Sequence, residues 1–214
     1  MRVSCSSAKT MSIDQRRQLA RYRYGVFVQR LQWKLGDEHG LEQDQFDMED
    51  TMHLVARDAY GDIVGCGRLL PTDGPYLLGD VFPELFNGMP PPRDANIWEL
   101  SRFAVSASTM DPAAGNTQRL AERLLLQALR FCAQRGVAQL LAVTTPPVER
   151  LMRKAGVELT RTGPPVLHEG APVLALVIAV NSRSIAALSR FEQDSLPELA
   201  MPLSIQSAPA LACA

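Results

Sequence analysis

The sequence predicts an α/β sandwich on a mixed central sheet. Three observations carry the prediction: a helix-period stretch near the start, a strand hairpin after it, and a second half alternating strand, helix, strand, helix, strand. With 214 residues, 46% of them hydrophobic, the chain is long enough for one domain whose core needs no disulfides or metal. That domain is expected over residues 1–190. The Ser-, Pro- and Ala-rich stretch 191–214 has little periodicity and is expected to be a mobile tail.

Ser12 to Leu35 reads as the first helix, with Ser12 or Asp14 as its cap, Leu19, Tyr22, Val26 and Leu31 near helical spacing, and Gly36 as its stop. Asp37 to Asp50 is polar, acidic and without a clear period, so it reads as a loop. Met52 to Arg57 and Ile63 to Leu70 flank a turn at Tyr60-Gly61-Asp62, the pattern of a β-hairpin. Tyr76 to Leu85 suits a short strand and a helical turn. Ile97 to Val105 is the next strand; strict alternation puts Trp98, Leu100 and Arg102 on one face and Glu99, Ser101 and Phe103 on the other. Thr117 to Arg135 carries the clearest apolar stripe, through Leu120, Leu124, Ala128 and Phe131, and Gly136 ends it. Val137 to Thr145 is apolar throughout, as in a buried central strand; Pro147 to Ala155 reads as a helix and Val173 to Val180 as a last strand.

Several function classes are excluded early. A net charge of -1 with scattered Lys and Arg gives no basic face for nucleic acid or anionic lipid. No run approaches the ~20 apolar residues of a membrane span, and the first residues lack a signal peptide's apolar stretch, so a soluble cytoplasmic protein is expected. Cys5, Cys66, Cys132 and Cys213 form no metal-ligand spacing and read as thiols in a reducing compartment. Neither GxGxxG nor GxxxxGK[ST] occurs at a strand end, and there is no GxSxG elbow.

Four segments hold residues unusual for their context. Arg23 and Phe27 share a helix face, with Trp33 beyond; an amphipathic helix with a solvated Arg would look the same. Asp44 and Asp47 can hold a cationic group or cap a turn and face water. Arg68 sits inside an apolar strand, where a lone charge is costly and must find a partner or solvent. Glu99 and Arg102 lie in another strand otherwise fit for burial, and together with Arg68 they suit either a polar cleft or a structural ion-pair network.

In register, these residues carry a resemblance. Arg23, Phe27, Trp33, Asp44, Asp47, Arg68-Leu-Leu-Pro and Trp98-Glu99-Leu-Ser101-Arg102-Phe-Ala-Val are similar to the LuxI-type acyl-homoserine lactone synthases, the autoinducer synthases. The likeness continues through Ala142-Val-Thr-Thr145, Val148-Glu-Arg150 and Arg153-Lys-Ala-Gly156. Two departures lie outside the charged set: Gln32 stands where Gly is expected, and Gly67 where Ala is common.

The resemblance implies a GNAT-like fold, a three-layer α/β/α sandwich whose mixed sheet is split into a V. It implies an acyltransferase that moves an acyl group from acyl-carrier protein or acyl-CoA to the amine of S-adenosylmethionine, a substrate rather than a cofactor. Lactonisation then releases methylthioadenosine, and no metal or redox cofactor takes part. Glu99, Arg68 and Arg102 are the implied catalytic residues, with Glu99 as base. Arg23, Phe27, Trp33, Asp44, Asp47 and Arg102 are implied in binding S-adenosylmethionine: the aspartates at its cationic end, the aromatics at its adenosyl group, and Arg23 or Arg102 at its carboxylate or in an ordering network. Ser101, Phe103, Ala142, Thr144 and Thr145 are implied around the acyl chain. Ala142 stands where members using 3-oxo groups tend to have Thr, so an unsubstituted or 3-hydroxy chain is expected. Arg150, Arg153, Lys154 and Arg161 suit docking of an acidic carrier, or equally a solvated helix face. The nearest rival, an acetyl-CoA-dependent N-acetyltransferase, would show a pyrophosphate loop in Ser106 to Gln118, where only Ala114-Gly115-Asn116 resembles one. A non-catalytic protein binding a small ligand in the same cleft is a second rival.

Overall fold

The computed structural model describes residues 2–35, 39–106 and 117–193. A capping box starts the first helix, α1 (Ile13–Arg23): the Ser12 hydroxyl accepts from Gln15 N–H, and the Gln15 side chain accepts from Ser12 N–H. The expected helix to Leu35 does not continue regularly. At Tyr24 the backbone widens into a π-helix through Arg30, with Leu31 N–H donating to the Val26 carbonyl five residues back. Gln32 then takes a left-handed conformation, φ 55°, and turns the chain back.

A first strand, β1 (Arg2–Ser7), pairs antiparallel with β2 (Met52–Arg57), which forms the expected hairpin with β3 (Ile63–Pro71). The sequence reading missed β1 because Ser and Arg dominate it and only Val3 and Cys5 pack against the core. Residues Tyr76 to Leu85 hold helical turns and no strand: α2 (Leu77–Val81) is followed by a 3₁₀ turn at Pro83–Phe86. Then come β4 (Ile97–Val105), α3 (Thr117–Ala133), β5 (Gln139–Thr144) and α4 (Pro146–Lys154), within three residues of their expected ends. Three-residue strands β6 (Leu159–Arg161) and β7 (Val166–His168) flank β8 (Ala171–Ala179); they were too short to show a period. A final helix, α5 (Ser182–Gln193), was not expected and runs three residues into the stretch 191–214 expected to be a tail; residues 194–214 lie outside the described part.

Among the described residues the eight strands run β1-β2-β3-β4-β5-β8-β6, with β7 beside β8. Every pairing is antiparallel except β4–β5, which α3 connects as a crossover. That parallel pairing is short. Ile97, Trp98 and Glu99 pair with Gln139, Leu140 and Leu141, and beyond Glu99 and Leu141 the two strands no longer pair. The sheet is therefore split into a V between the rest of β4 and the rest of β5.

The main core lies on the α3 and α5 side, where Leu54, Leu69, Leu100, Leu140 and Leu176 meet Leu124, Leu129 and Leu188. The other face has two apolar clusters, around Phe27, Val55 and Cys66 under α1 and around Leu70, Tyr76, Leu78 and Leu141 under α2. The charged residues lie between these two clusters.

Candidate active site

Arg23 leaves the last turn of α1, Arg68 points from the middle of β3 and Arg102 from β4; all three are buried. Such burial is tolerable only with matching carboxylates, and the acidic loop supplies them. Arg23 Nη1 and Nη2 donate to both oxygens of Asp47 at 2.7 and 2.9 Å, and its Nε donates to Glu42 at 2.5 Å. Arg68 Nη1 donates to Asp44 at 2.5 Å and to Asp47 at 3.2 Å, while its Nε donates to the Ser101 hydroxyl at 3.1 Å. Arg102 Nε and Nη2 reach Glu42 at 3.0 and 2.9 Å, and Nη2 also reaches Asp44 at 2.7 Å. Three arginines and three carboxylates thus form one closed, charge-matched network.

Glu42 was missed from the sequence. It bridges Arg23 and Arg102 and is 0% exposed. Nothing in its local pattern distinguishes it from other acids in the loop; the available signal was arithmetic, since Asp44 and Asp47 alone leave three buried arginines one carboxylate short. Burial pushes the Asp47 carboxyl up, but the Arg23 guanidinium outweighs this and holds it well below the ordinary carboxylate range.

The position of Arg102 corrects the alternation expected for its strand. Cys66 pairs with Ala104 and Arg68 with Ser101, so β4 has one residue more than β3 across this step, a β-bulge opposite Gly67. Arg102 takes the left-handed conformation at the bulge, φ 49°. Its side chain thereby joins Ser101 and Glu99 on the network face, while Phe103 turns to the main core beside Trp98 and Leu100. The buried Cys66 thiol donates to the Arg102 carbonyl at 3.1 Å, satisfying a group taken out of the strand ladder. Burial pushes that thiol up to about 12, so it stays protonated as the donor.

Phe27, on the π-helix, lies under the network. The Arg102 guanidinium sits 5.7 Å from its ring centroid, and the Trp33 ring stacks on it at 5.0 Å and 29°. Trp33 is 45% exposed, an apolar plate open to one side. Its backbone N–H donates to the Phe27 carbonyl at 2.9 Å, so the left-handed turn at Gln32 fixes the stack.

Glu99 is the last paired residue before β4 and β5 part. Its Oε2 accepts from Leu78 N–H at 2.5 Å, while Oε1 is buried and has no hydrogen-bond partner among the described residues. On the same sheet face, one cross-strand position along, Arg68 Nη2 is likewise buried and unpartnered. Burial pushes the Glu99 carboxyl above its ordinary value, and the Leu78 N–H, the neighbouring Ser101 hydroxyl, the Arg68 charge and the Leu77 N–H pull it partly back. An orphaned acceptor and an orphaned donor on one face of the sheet mark a place for a polar ligand.

The remaining sites spread around the V. Ala142 lies with Leu140 on the α3 side of β5, the side Phe103 also faces; Ser101 is on the opposite face, and Thr144 and Thr145 are half-buried at the open end. Arg153 on α4 and Arg161 on β6 both bind the buried carboxylate of Glu149, at 3.0 and 2.6 Å, whereas Arg150 and Lys154 on α4 are exposed beside exposed Val148 and Leu151. A cavity of about 230 Å³ borders the network, lined by Arg16, Leu19, Arg23, Asp44, Asp47 and His53 among others. No group of His, Cys, Asp and Glu suited to a metal occurs among the described residues, and none of their helices is long and apolar enough to cross a membrane. The stretch 107–116, which holds most of the loop expected to differ from N-acetyltransferases, lies outside the described part.

The family model described as "Autoinducer synthase" matches residues 7–188. The chain belongs to that family. The acyl-homoserine-lactone synthase of Ralstonia solanacearum is 44% identical over 172 residues, 79% of this chain and 84% of that protein. The crystal structure of TofI, in a ternary complex with an inhibitor and MTA, is 39% identical with a TM-score of 0.78, covering 88% of this chain and 97% of that one. BjaI, described as a CoA-dependent acyl-homoserine lactone synthase and solved with SAM and isopentyl-CoA, is 30% identical with a TM-score of 0.79, covering 98% and 94%. The fold is the GNAT-like acyltransferase sandwich of these autoinducer synthases, and the chain is an acyltransferase of the acyl-homoserine-lactone synthase class.

Proposed function

We propose that this autoinducer synthase acylates the α-amine of S-adenosylmethionine at the apex of the V, with Glu99 as general base and the acyl donor entering between β4 and β5. The observation that carries the reading is the pair of buried, unpartnered atoms there, Glu99 Oε1 and Arg68 Nη2. An amine donates to the first and a carboxylate accepts from the second, so the two fit the amino-acid end of the substrate.

Acylation needs a neutral amine. Glu99, held above the ordinary carboxylate range, takes the proton directly or through one water as the nitrogen attacks the thioester carbonyl. Backbone N–H groups on the unpaired edge of β4 stabilise the resulting oxyanion. The thiol leaves, and the amide forms. The substrate carboxylate then attacks its own γ-carbon and expels the thioether, methylthioadenosine. A sulfonium leaves readily, so this second step asks mainly for a folded substrate.

Stacked Phe27 and Trp33 give the adenine a surface. Arg23 orders the carboxylates, since its Nε, Nη1 and Nη2 are all engaged by them, and Arg102 does the same through Nε and Nη2. Asp44, the more open aspartate, faces the sulfonium, and Asp47 holds Arg23 and Arg68. The acyl chain runs past Phe103 and Ala142 toward the α3 side, with Ser101, Thr144 and Thr145 along the cleft. Ala142 has no hydroxyl for a 3-oxo group, which favours unsubstituted or 3-hydroxy chains. An acyl-carrier protein docks on Arg150 and Lys154, while Arg153 and Arg161 are taken up by Glu149. The protein works as a soluble enzyme of the cytoplasm.

The test is an incubation with S-adenosylmethionine and a panel of acyl-carrier-protein and acyl-CoA thioesters. Methylthioadenosine and lactone are read by mass spectrometry. Turnover is expected with mainly unsubstituted or 3-hydroxy lactones, and Glu99→Gln should lower kcat by about 10²- to 10³-fold. A folded protein that turns over no donor would overturn the activity, and mainly 3-oxo products would overturn the Ala142 reading.

A further inference from the structure

The residues that hold Glu99 in place extend well outside the site. Its Oε2 is fastened by Leu78 N–H, from a strap of residues 72–80 that crosses the sheet face. The strap is tied to the segment 92–97 at several points. Thr72 N–H donates to the Ile97 carbonyl, its hydroxyl donates to the Asp94 carbonyl, and the Tyr76 hydroxyl donates to the Pro92 carbonyl at 2.8 Å. Gly79 lets the strap close over the Tyr76 ring, since a Cβ there would lie 2.4 Å from it.

One residue touches the strap three times. Arg93 Nη1 donates to the Gly74 carbonyl at 2.5 Å, Nη2 donates to Asp80 at 2.9 Å, and the guanidinium plane lies 5.0 Å from the Tyr76 ring centroid. These contacts bracket Leu78, with Gly74 and Tyr76 before it and Asp80 after. Only a planar fork with several donors spans a carbonyl, a ring and a carboxylate at once. We propose that Arg93 is a positioning residue for Glu99: it fastens the strap so that Leu78 N–H occupies one carboxylate oxygen and the other stays aimed at the substrate amine. The proposal rests on the reading of Glu99 as base.

The remaining groups around Glu99 are Arg68 from β3, Leu77 N–H and Tyr76 from the strap, Ser101 on its own strand and apolar Leu141 on β5. Of these, Tyr76 meets Arg93 directly, and the others feel its removal only through the strap. Loosening Leu78 withdraws a donor from the carboxylate, which disfavours its charged form and raises its pKa further. The active form is the ionised base, so the acid limb of the kcat profile moves to higher pH.

The experiment measures methylthioadenosine release by the full chain with saturating acyl donor, from acid to neutral pH, for wild type, Arg93→Ala, Arg93→Lys and Asp80→Asn, with Glu99→Gln beside them. Arg93→Ala is expected to lose about tenfold in kcat, as a small misplacement of a catalytic group does. Its KM for S-adenosylmethionine should stay within about twofold, its acid limb should move up, and Arg93→Lys should recover part of both. If Arg93→Ala does not fold, Asp80→Asn decides, with the same direction and a smaller change. A folded variant with unchanged kcat, or with a lower melting temperature and an unmoved acid limb, overturns the proposal. Full activity in Glu99→Gln overturns the base reading instead, and is recognised separately.

Discussion

Glu42 is the most deeply buried carboxylate of the network, and it bridges Arg23 and Arg102. Removing its charge leaves the network with an uncompensated cation in a site that excludes water. Breaking a buried pair from one side costs about 3–5 kcal/mol, so Glu42→Gln is expected to lose about 3 kcal/mol in urea unfolding. A change below about 1 kcal/mol would show that the arginines find other partners. Gln32 gives the opposite sign. It holds φ 55° with a side chain, at a position where the family resemblance predicts Gly. A left-handed non-glycine residue is strained by about 1–2 kcal/mol, part of which glycine's freer unfolded chain returns. Gln32→Gly should therefore gain about 0.5–1 kcal/mol without disturbing the Phe27–Trp33 stack. Loss of stability would mean that the Gln32 side chain contributes contacts of its own.

Among the elements, those with a sustained period or an unbroken apolar run were legible in the sequence: α3, the β2–β3 hairpin, β5 and β8. Those missed were short or polar, such as β1, β6 and β7, whose strand geometry comes from the neighbour they pair with. Two site features were hidden for another reason. The π-helix and the bulge at Arg102 each shift the register, and hydrophobic pattern reports period rather than insertions. A strict alternation put Arg102 with Leu100 and Phe103 with Glu99; the bulge exchanges them. The eight charged and aromatic positions were found without knowing this, because their identity was visible even where their faces were not. The bulge also explains why a left-handed Arg is tolerated inside a strand: ion pairs to Glu42 and Asp44 and the Cys66 hydrogen bond hold it there.

For the whole molecule, the network sets how stability responds to acid. His53 pairs across from Arg68 and faces Arg23, Arg68, Asp44 and Asp47; burial pushes its imidazole down to about 4. In the unfolded chain it takes a proton near ~6.5. Between those values the unfolded state binds more protons, so stability falls as pH drops from about 6.5 to about 4, by up to about 3 kcal/mol. Asp47 acts below that window. Its lowered pKa contributes stability above the unfolded carboxyl value near ~4, and that contribution is lost on further acidification. Urea unfolding across this range should show His53→Gln with a flatter profile from pH 6.5 to 4 and the wild-type slope below it. An unchanged slope in the upper window would remove His53 as its source.

Because β4 and β5 part after Glu99 and Leu141, the sheet has a strand edge in its interior as well as at its rims. An edge of this kind accepts a further strand, and an acyl donor's amide-bearing phosphopantetheine arm has the groups to serve as one. Binding would then supply the missing rungs of the sheet, and the donor would act as a temporary part of the fold. The effect is visible in time rather than position: amide protons of β4 beyond Glu99 that face the gap should exchange with deuterium quickly in the unliganded protein and slow once a non-hydrolysable thioester analogue is bound.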